Sequence, residues 1–248
     1  MGLFDLFKGG GGGKAERPKP SSASKFAEKA GDKRAQNYDR QEAIQALADM
    51  GTPEAAAALL RRFTFVIDPS ITDQDEKDAA FNGVLRAGKD AVAPVRAFAA
   101  KAESLAWPMK ILNELLPEEE YVEELLLWLS KWDTEYSKFI EPKLQLLKEL
   151  EEHRHERIRE AVESFLGDVN EEARFHAVLT SLAQEDVAAI PALLGVLLDE
   201  ESVRVKNKIA DGFASRGWVV PEEQLGAARK ALPFGFTIDA AGKMKARG

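Results

Sequence analysis

The chain has 248 residues, of which 45% are apolar and 31% charged, enough to bury a sizeable core and too charged for a membrane protein. It has a formal net charge of −8 and no cysteine, so disulfides, thiolate zinc sites and cysteine nucleophiles are excluded. No run approaches the roughly 20 apolar residues of a membrane span, and the start, MGLFDLFKGGGGG, lacks the basic-then-apolar order of a secretory signal. A cytoplasmic location is the expectation from these features.

The charge is uneven. Residues 1–37 carry eight Lys or Arg against four acids, a balance of +4, which leaves −12 on residues 38–248. A body this acidic repels phosphate backbones at long range, so the charge argues against nucleic acid and favours a basic protein partner.

Residues 1–8 form a short apolar motif, with Leu3, Phe4, Leu6 and Phe7 within five positions. Exposed Phe is costly, so the motif reads as a docking element for a protein groove, with a weak peripheral membrane contact as the alternative. Leu6 stands where myristoylation asks for Ser or Thr. Residues 9–37 hold five successive glycines, Pro18, Pro20 and three serines, and are expected to be a flexible tether.

Helix pairs then recur from 38 to 232. Arg40 to Met50 places Ile44, Leu47 and Ala48 on one face, Gly51 ends it, and Thr52-Pro53 supply the cap and first position of a partner helix running to Phe63. In the line 63–76, Phe65 to Ile67 read as an extension of that helix, Asp68-Pro69-Ser70 as a turn, and Thr72 or Asp73 as the next cap. Lys77 to Ala87, stopped by Gly88, and the stretch DAVAPVRAFAA repeat the first pair. The glycines are 37 residues apart and Pro53 and Pro94 are 41 apart, as a two-helix repeat requires.

Residues 107–116 and 118–129 make a third pair, and 134–150 with 152–166 a fourth, in which Pro142 either starts the first helix late or kinks it. Residues 170–183 with 187–199, and 202–216 with 221–232, complete six. Residues 233–248 read as a loosely held tail.

The first-turn prolines Pro53, Pro94 and Pro191, and the segments DVNEEAR (Asp168 to Arg174) and DEESVR (Asp199 to Arg204), resemble those of HEAT-repeat proteins, especially the short-repeat branch that includes bilin-lyase-like proteins. The resemblance covers Asp39 to Leu232 and implies an all-α, right-handed α-solenoid of about six helix pairs, with Asp and Arg forming ladders between adjacent repeats. The third and fourth repeats depart from the pattern.

Three clusters are weighed for chemistry. His153 and His155, flanked by Glu149, Glu152 and Glu156, point about 200° apart if helical and cannot share an ion, so they read as a solvated face. His176 reads as a partly buried face residue. Trp128, Trp132 and Asp133, with Glu135 and Tyr136 nearby, are similar to the residues with which one HEAT-like family excises alkylated bases, but the acidic body lacks a basic groove, and aromatic packing between repeats is the expectation.

Glu114, Glu118, Glu119, Glu120, Glu123 and Glu124 exceed what one helix dipole requires. Glu119, Glu120, Glu123 and Glu124 are the candidate strip for a basic partner. No phosphate loop, nucleophile elbow or paired catalytic carboxylates appear, and no cofactor or metal is expected. The sequence thus reads as a non-catalytic scaffold or adaptor, the alternative being an enzyme or accessory factor of the HEAT-like bilin-lyase or base-excision type.

Overall fold

The computed structural model describes residues 22–247. The motif residues Leu3, Phe4, Leu6 and Phe7 lie outside them. Within the described residues the chain is mostly helical, with thirteen α-helices and one small antiparallel hairpin.

Helix α1 (Ser22–Ala30) corrects part of the tether expected over residues 9–37, of which 9–21 lie outside the described residues. Ala23, Phe26, Ala27 and Ala30 recur at helical spacing and pack into the core, a stripe masked when the segment is averaged with the Gly- and Pro-rich residues before it. Helix α2 (Asn37–Met50) ends at Gly51, whose φ of 57° lies in the left-handed region that favours glycine. Thr52 then caps α3 (Pro53–Leu60), its hydroxyl accepting from the Ala55 N–H at 3.2 Å.

A tight turn, Arg61–Thr64, follows α3. Phe65 to Ile67 do not extend the helix as expected, and α4 (Ser70–Arg86) begins at Ser70 with no side-chain cap. Asp73 turns inward instead, accepting from Arg62 Nη2 at 2.7 Å, Lys77 Nζ at 2.7 Å and the Ile67 N–H at 3.0 Å. These donors outbid capping because they anchor the loop and the helix together.

Helices α5 (Val92–Ala99), α6 (Ala106–Leu115) and α7 (Glu118–Leu129) follow the expected pairs closely. The fourth pair is shorter than its periodicity predicts. Residues 131–140 are not helical, Pro142 sits in the first turn of α8 (Glu141–Leu150), and α9 spans only Ile158–Glu163. Regularity returns in α10 (Glu171–Ala183), α11 (Ile190–Asp199), α12 (Val203–Arg216) and α13 (Leu225–Ala231).

Contacts stay local along the chain and sort the helices into two rows. The first helices of successive pairs touch, α2 on α4, α4 on α6, α8 on α10 and α10 on α12, and so do second helices, α3 on α5, α7 on α9 and α11 on α13. At the midpoint the rows loosen: α5 and α7, and α6 and α8, do not pack as their counterparts do, and α8 reaches the preceding segment through Gln145, whose Oε1 accepts from the Leu105 N–H at 2.6 Å.

The tail also departs from expectation. Strands β1 (Phe236–Ile238) and β2 (Met244–Ala246) pair antiparallel, with Ile238 opposite Met244. Both side chains are buried and β2 packs on α12, so the hairpin covers apolar surface at the end of the helix rows. Its alternation is only three residues long on each strand, too short to register as periodicity.

Charged residues tie the rows together inside. Arg40 donates to Glu76 through Nε at 2.7 Å and Nη2 at 2.9 Å, and Arg62 Nε donates to the same carboxylate at 2.7 Å. Further along, Lys143 Nζ lies 2.6 Å from Asp168 Oδ2 and Arg174 Nε 2.7 Å from Glu200 Oε2. These pairs are not the Asp–Arg ladder that the resemblance implies. Asp168 takes Lys143, and Arg174 reaches forward to Glu200 while its Nη1 donates to the Asp168 carbonyl at 2.9 Å.

Candidate functional site

The four candidate glutamates all lie on α7 but do not form one strip. Glu119 and Glu120 are exposed, Glu123 is half-buried, and Glu124 is buried at 3% exposure. Arg96 of α5 approaches Glu124 Oε2 to 2.6 Å through Nη2. Glu124 therefore ties two helices together and is withdrawn from the candidate surface. Residues 121, 124, 125 and 128 share the inward face of α7 at helical spacing, and the acidic composition hid that phase.

The segment after α8 folds back over the first turn of α7. His155 Nε2 stands 3.0 Å from Glu119 Oε1 and 3.8 Å from Glu123 Oε1, and Arg157 pairs with Glu123. His153 Nδ1 lies 3.4 Å from Glu118 Oε1, and Tyr121 donates its hydroxyl proton to Glu149 at 2.8 Å. Burial and that hydrogen bond push the Tyr121 phenol far above its ordinary pKa, so it remains a donor.

Glu119, Glu123 and His155 bring three metal-ligating atoms within 4.8 Å of one another. The hydrogen bonds oppose an ion there. His155 Nδ1 accepts the Arg157 N–H at 3.2 Å, which leaves Nε2 as the proton-bearing nitrogen of the neutral ring, assigned from this pattern. A metal on Nε2 would need the proton on Nδ1, where the Arg157 N–H already points, and the Arg157 guanidinium adds positive charge beside Glu123. The cluster is a carboxylate–imidazole–guanidinium clamp holding the α8–α9 segment to α7.

His176, expected to be partly buried, is buried, its Nδ1 2.6 Å from Glu151 Oε1. Trp128 is buried and Trp132 packs against the core, as aromatic packing requires. Asp133 aims no side chain at them: its Oδ1 accepts from the Glu135 N–H at 3.2 Å, while its carbonyl accepts from Lys143 at 3.1 Å. Tyr136 is 83% exposed.

The feature that sequence reasoning missed is a pair of adjoining clefts at the midpoint of the rows. One, of about 690 Å³, is lined by Phe63, Phe98 and Trp107. The other, of about 410 Å³, is lined by Trp128, Trp132 and Phe139. Residues 101–103 line both, so the two adjoin and together make an aromatic trough, with Lys101 and Glu103 at the shared edge and Lys131 at the smaller cleft. Trp107 stacks on Phe63 with ring centres 4.5 Å apart, and Lys110 lies 4.9 Å over its ring. Both volumes fall within the roughly 300–1,000 Å³ of typical ligand pockets. The only sequence signal was the loss of regular spacing there.

Comparison of the chain with family models, curated proteins and solved structures gives no match. Among the described residues, no helix is long and apolar enough to cross a membrane.

Proposed function

We propose that the protein is a non-catalytic interaction scaffold or adaptor of the cytoplasm, built as a right-handed α-solenoid of about six HEAT-like helix pairs. It takes a basic protein partner on the exposed glutamates of α7 and makes a second contact through residues 3–7. The two-row stacking of local helix pairs carries this reading, because such rows offer extended surface in place of one enclosed site. The charged contacts between successive pairs, Lys143 to Asp168 and Arg174 to Glu200, support the stacking of pairs.

The partner surface comprises Glu119, Glu120 and Glu123, with Glu118 beside them. Glu118 and Glu119 keep about three-quarters of their side-chain surface exposed, at 74% and 75%. Each exposed pair is weak alone, so the group acts together and its attraction is screened by salt. The test combines Glu119→Gln, Glu120→Gln and Glu123→Gln and measures affinity for a Lys/Arg-rich peptide. The expected result is about tenfold weaker binding, with wild-type affinity itself falling as salt rises from about 0.05 to 0.5 M. Equal affinity of variant and wild type removes α7 from the proposal.

A further inference from the structure

We propose that the aromatic trough is the docking site of the chain's own N-terminal motif, residues 3–7, which occupies it in cis. This goes beyond the reading above, in which residues 3–7 contact a partner: in the free chain the motif rests on the trough and must leave it to reach one.

The trough lies where the two rows change pattern, between the α5–α6 connection and the 131–140 loop. Side chains that a stacked neighbour would cover elsewhere are left open here. Phe139 is 63% exposed, and Phe63, Phe98, Trp107 and Trp132 are only partly buried. A cleft bordered by several partly exposed aromatic side chains suits an apolar ligand. The motif has the complementary excess: two Leu and two Phe in five residues, with a single charge, Asp5, to meet a lining in which Lys101 and Lys131 outnumber the one acid, Glu103.

Reach is satisfied. Arg61 Nη1 donates to the Ala27 carbonyl at 3.4 Å, so the second half of α1 rests on the turn Arg61–Thr64. Phe63 and Thr64 of that same turn line the larger cleft. Helix α1 has nine residues and so spans about 13 Å at 1.5 Å per residue. Fourteen residues, 8–21, separate the motif from α1. A chain of that length spans roughly 20 Å root-mean-square by random-coil scaling and at most about 50 Å. A ligand tethered so near its site has an effective concentration on the order of millimolar, well above what a second copy reaches in dilute solution. Any other ligand of the trough must first displace the motif.

The experiment uses the purified full-length chain without partner, so its outcome is independent of whether α7 binds a basic protein. A benzophenone amino acid replaces Phe4, the sample is irradiated at micromolar concentration, and the crosslinked peptides are mapped. Expected are monomeric crosslinks to peptides spanning 98–108 or 128–142, reduced at least fivefold by Trp132→Ala. In parallel, Phe4→Ala with Phe7→Ala should make tryptophan emission about twofold more accessible to acrylamide quenching, since Trp107, Trp128 and Trp132 line the trough and Trp218 does not. This second arm holds even if Trp132→Ala fails to fold. Crosslinks to other helices, crosslinks only between two copies, absence of any crosslink, or unchanged quenching in the double variant each overturn the proposal.

Discussion

The seam joining α2, α3 and α4 and the seam around the 131–140 loop are built in opposite ways. In the first, helices approach until no space remains: a Cβ added at Gly83 would lie 2.7 Å from both the Ala48 Cβ and a Leu59 methyl. Two guanidiniums and two carboxylates fill the interior there, each with a partner. In the second, a proline starts α8 late, ten residues run without helix, and aromatic faces meet space. Rows of local helix pairs seal themselves when spacing is regular, and an irregular connection opens binding surface without any change of composition.

The sharpest way to break this contrast is Glu76→Gln. Glu76 is fully enclosed and accepts from both Arg40 and Arg62, so the neutral amide leaves one positive charge uncompensated among buried groups. Breaking a buried pair in this way costs about 3–5 kcal/mol. Chemical denaturation should show a loss of that size, and a loss under 1 kcal/mol would mean that the network is open to water and the first seam is not sealed.

A smaller effect at the same seam comes from acid. Burial opposes ionisation of Asp73, but hydrogen bonds from Lys77, Arg62 and the Ile67 N–H outweigh it and hold the carboxyl at about 2, below its ordinary 3.8. A folded-state pKa below the unfolded one gives stability that is fully present above pH 4 and is lost as pH falls toward 2. Linkage puts its size at up to about 2 kcal/mol. Comparing acid titrations of wild type and Asp73→Asn isolates it: the variant should lack the part of the stability loss between pH 4 and 2 that wild type shows, and parallel curves would refute the assignment.

Much of the helical architecture was legible because its signals are local. Gly51, Thr52 and Pro53 stop one helix and start the next through backbone chemistry within three residues, and Leu193, Leu194 and Leu197 declare a buried face by spacing alone. Residues 22–30 and 236–246 were misread because composition was averaged over longer windows than the nine-residue helix and three-residue strands that form there. The candidate site was less legible still. Whether Glu124 faces Arg96 or solvent depends on the phase of α7 against a helix 28 residues away, and no property of the glutamate run encodes it. The trough joins Phe63 and Trp107 to Phe139 across three connections, so no contiguous pattern contains it.

The smallest expected effect sharpens the comparison from the open side. Phe139 lies in the 131–140 loop at the trough rim, with Lys138 Nζ 5.2 Å from its ring and most of its surface free. A phenylalanine holding a seam shut would cost about 3–5 kcal/mol on truncation, because a cavity would remain. One that borders an open cleft removes little buried area and leaves no cavity, so in a chain whose motif is disabled by Phe4→Ala and Phe7→Ala, Phe139→Ser should change the denaturation midpoint by no more than about 0.5 kcal/mol equivalent. The same substitution should raise acrylamide access to Trp132 across the cleft. A loss of 3 kcal/mol or more would show that the second seam is closed by this ring in solution, and the distinction between a sealed and an open junction would then fall.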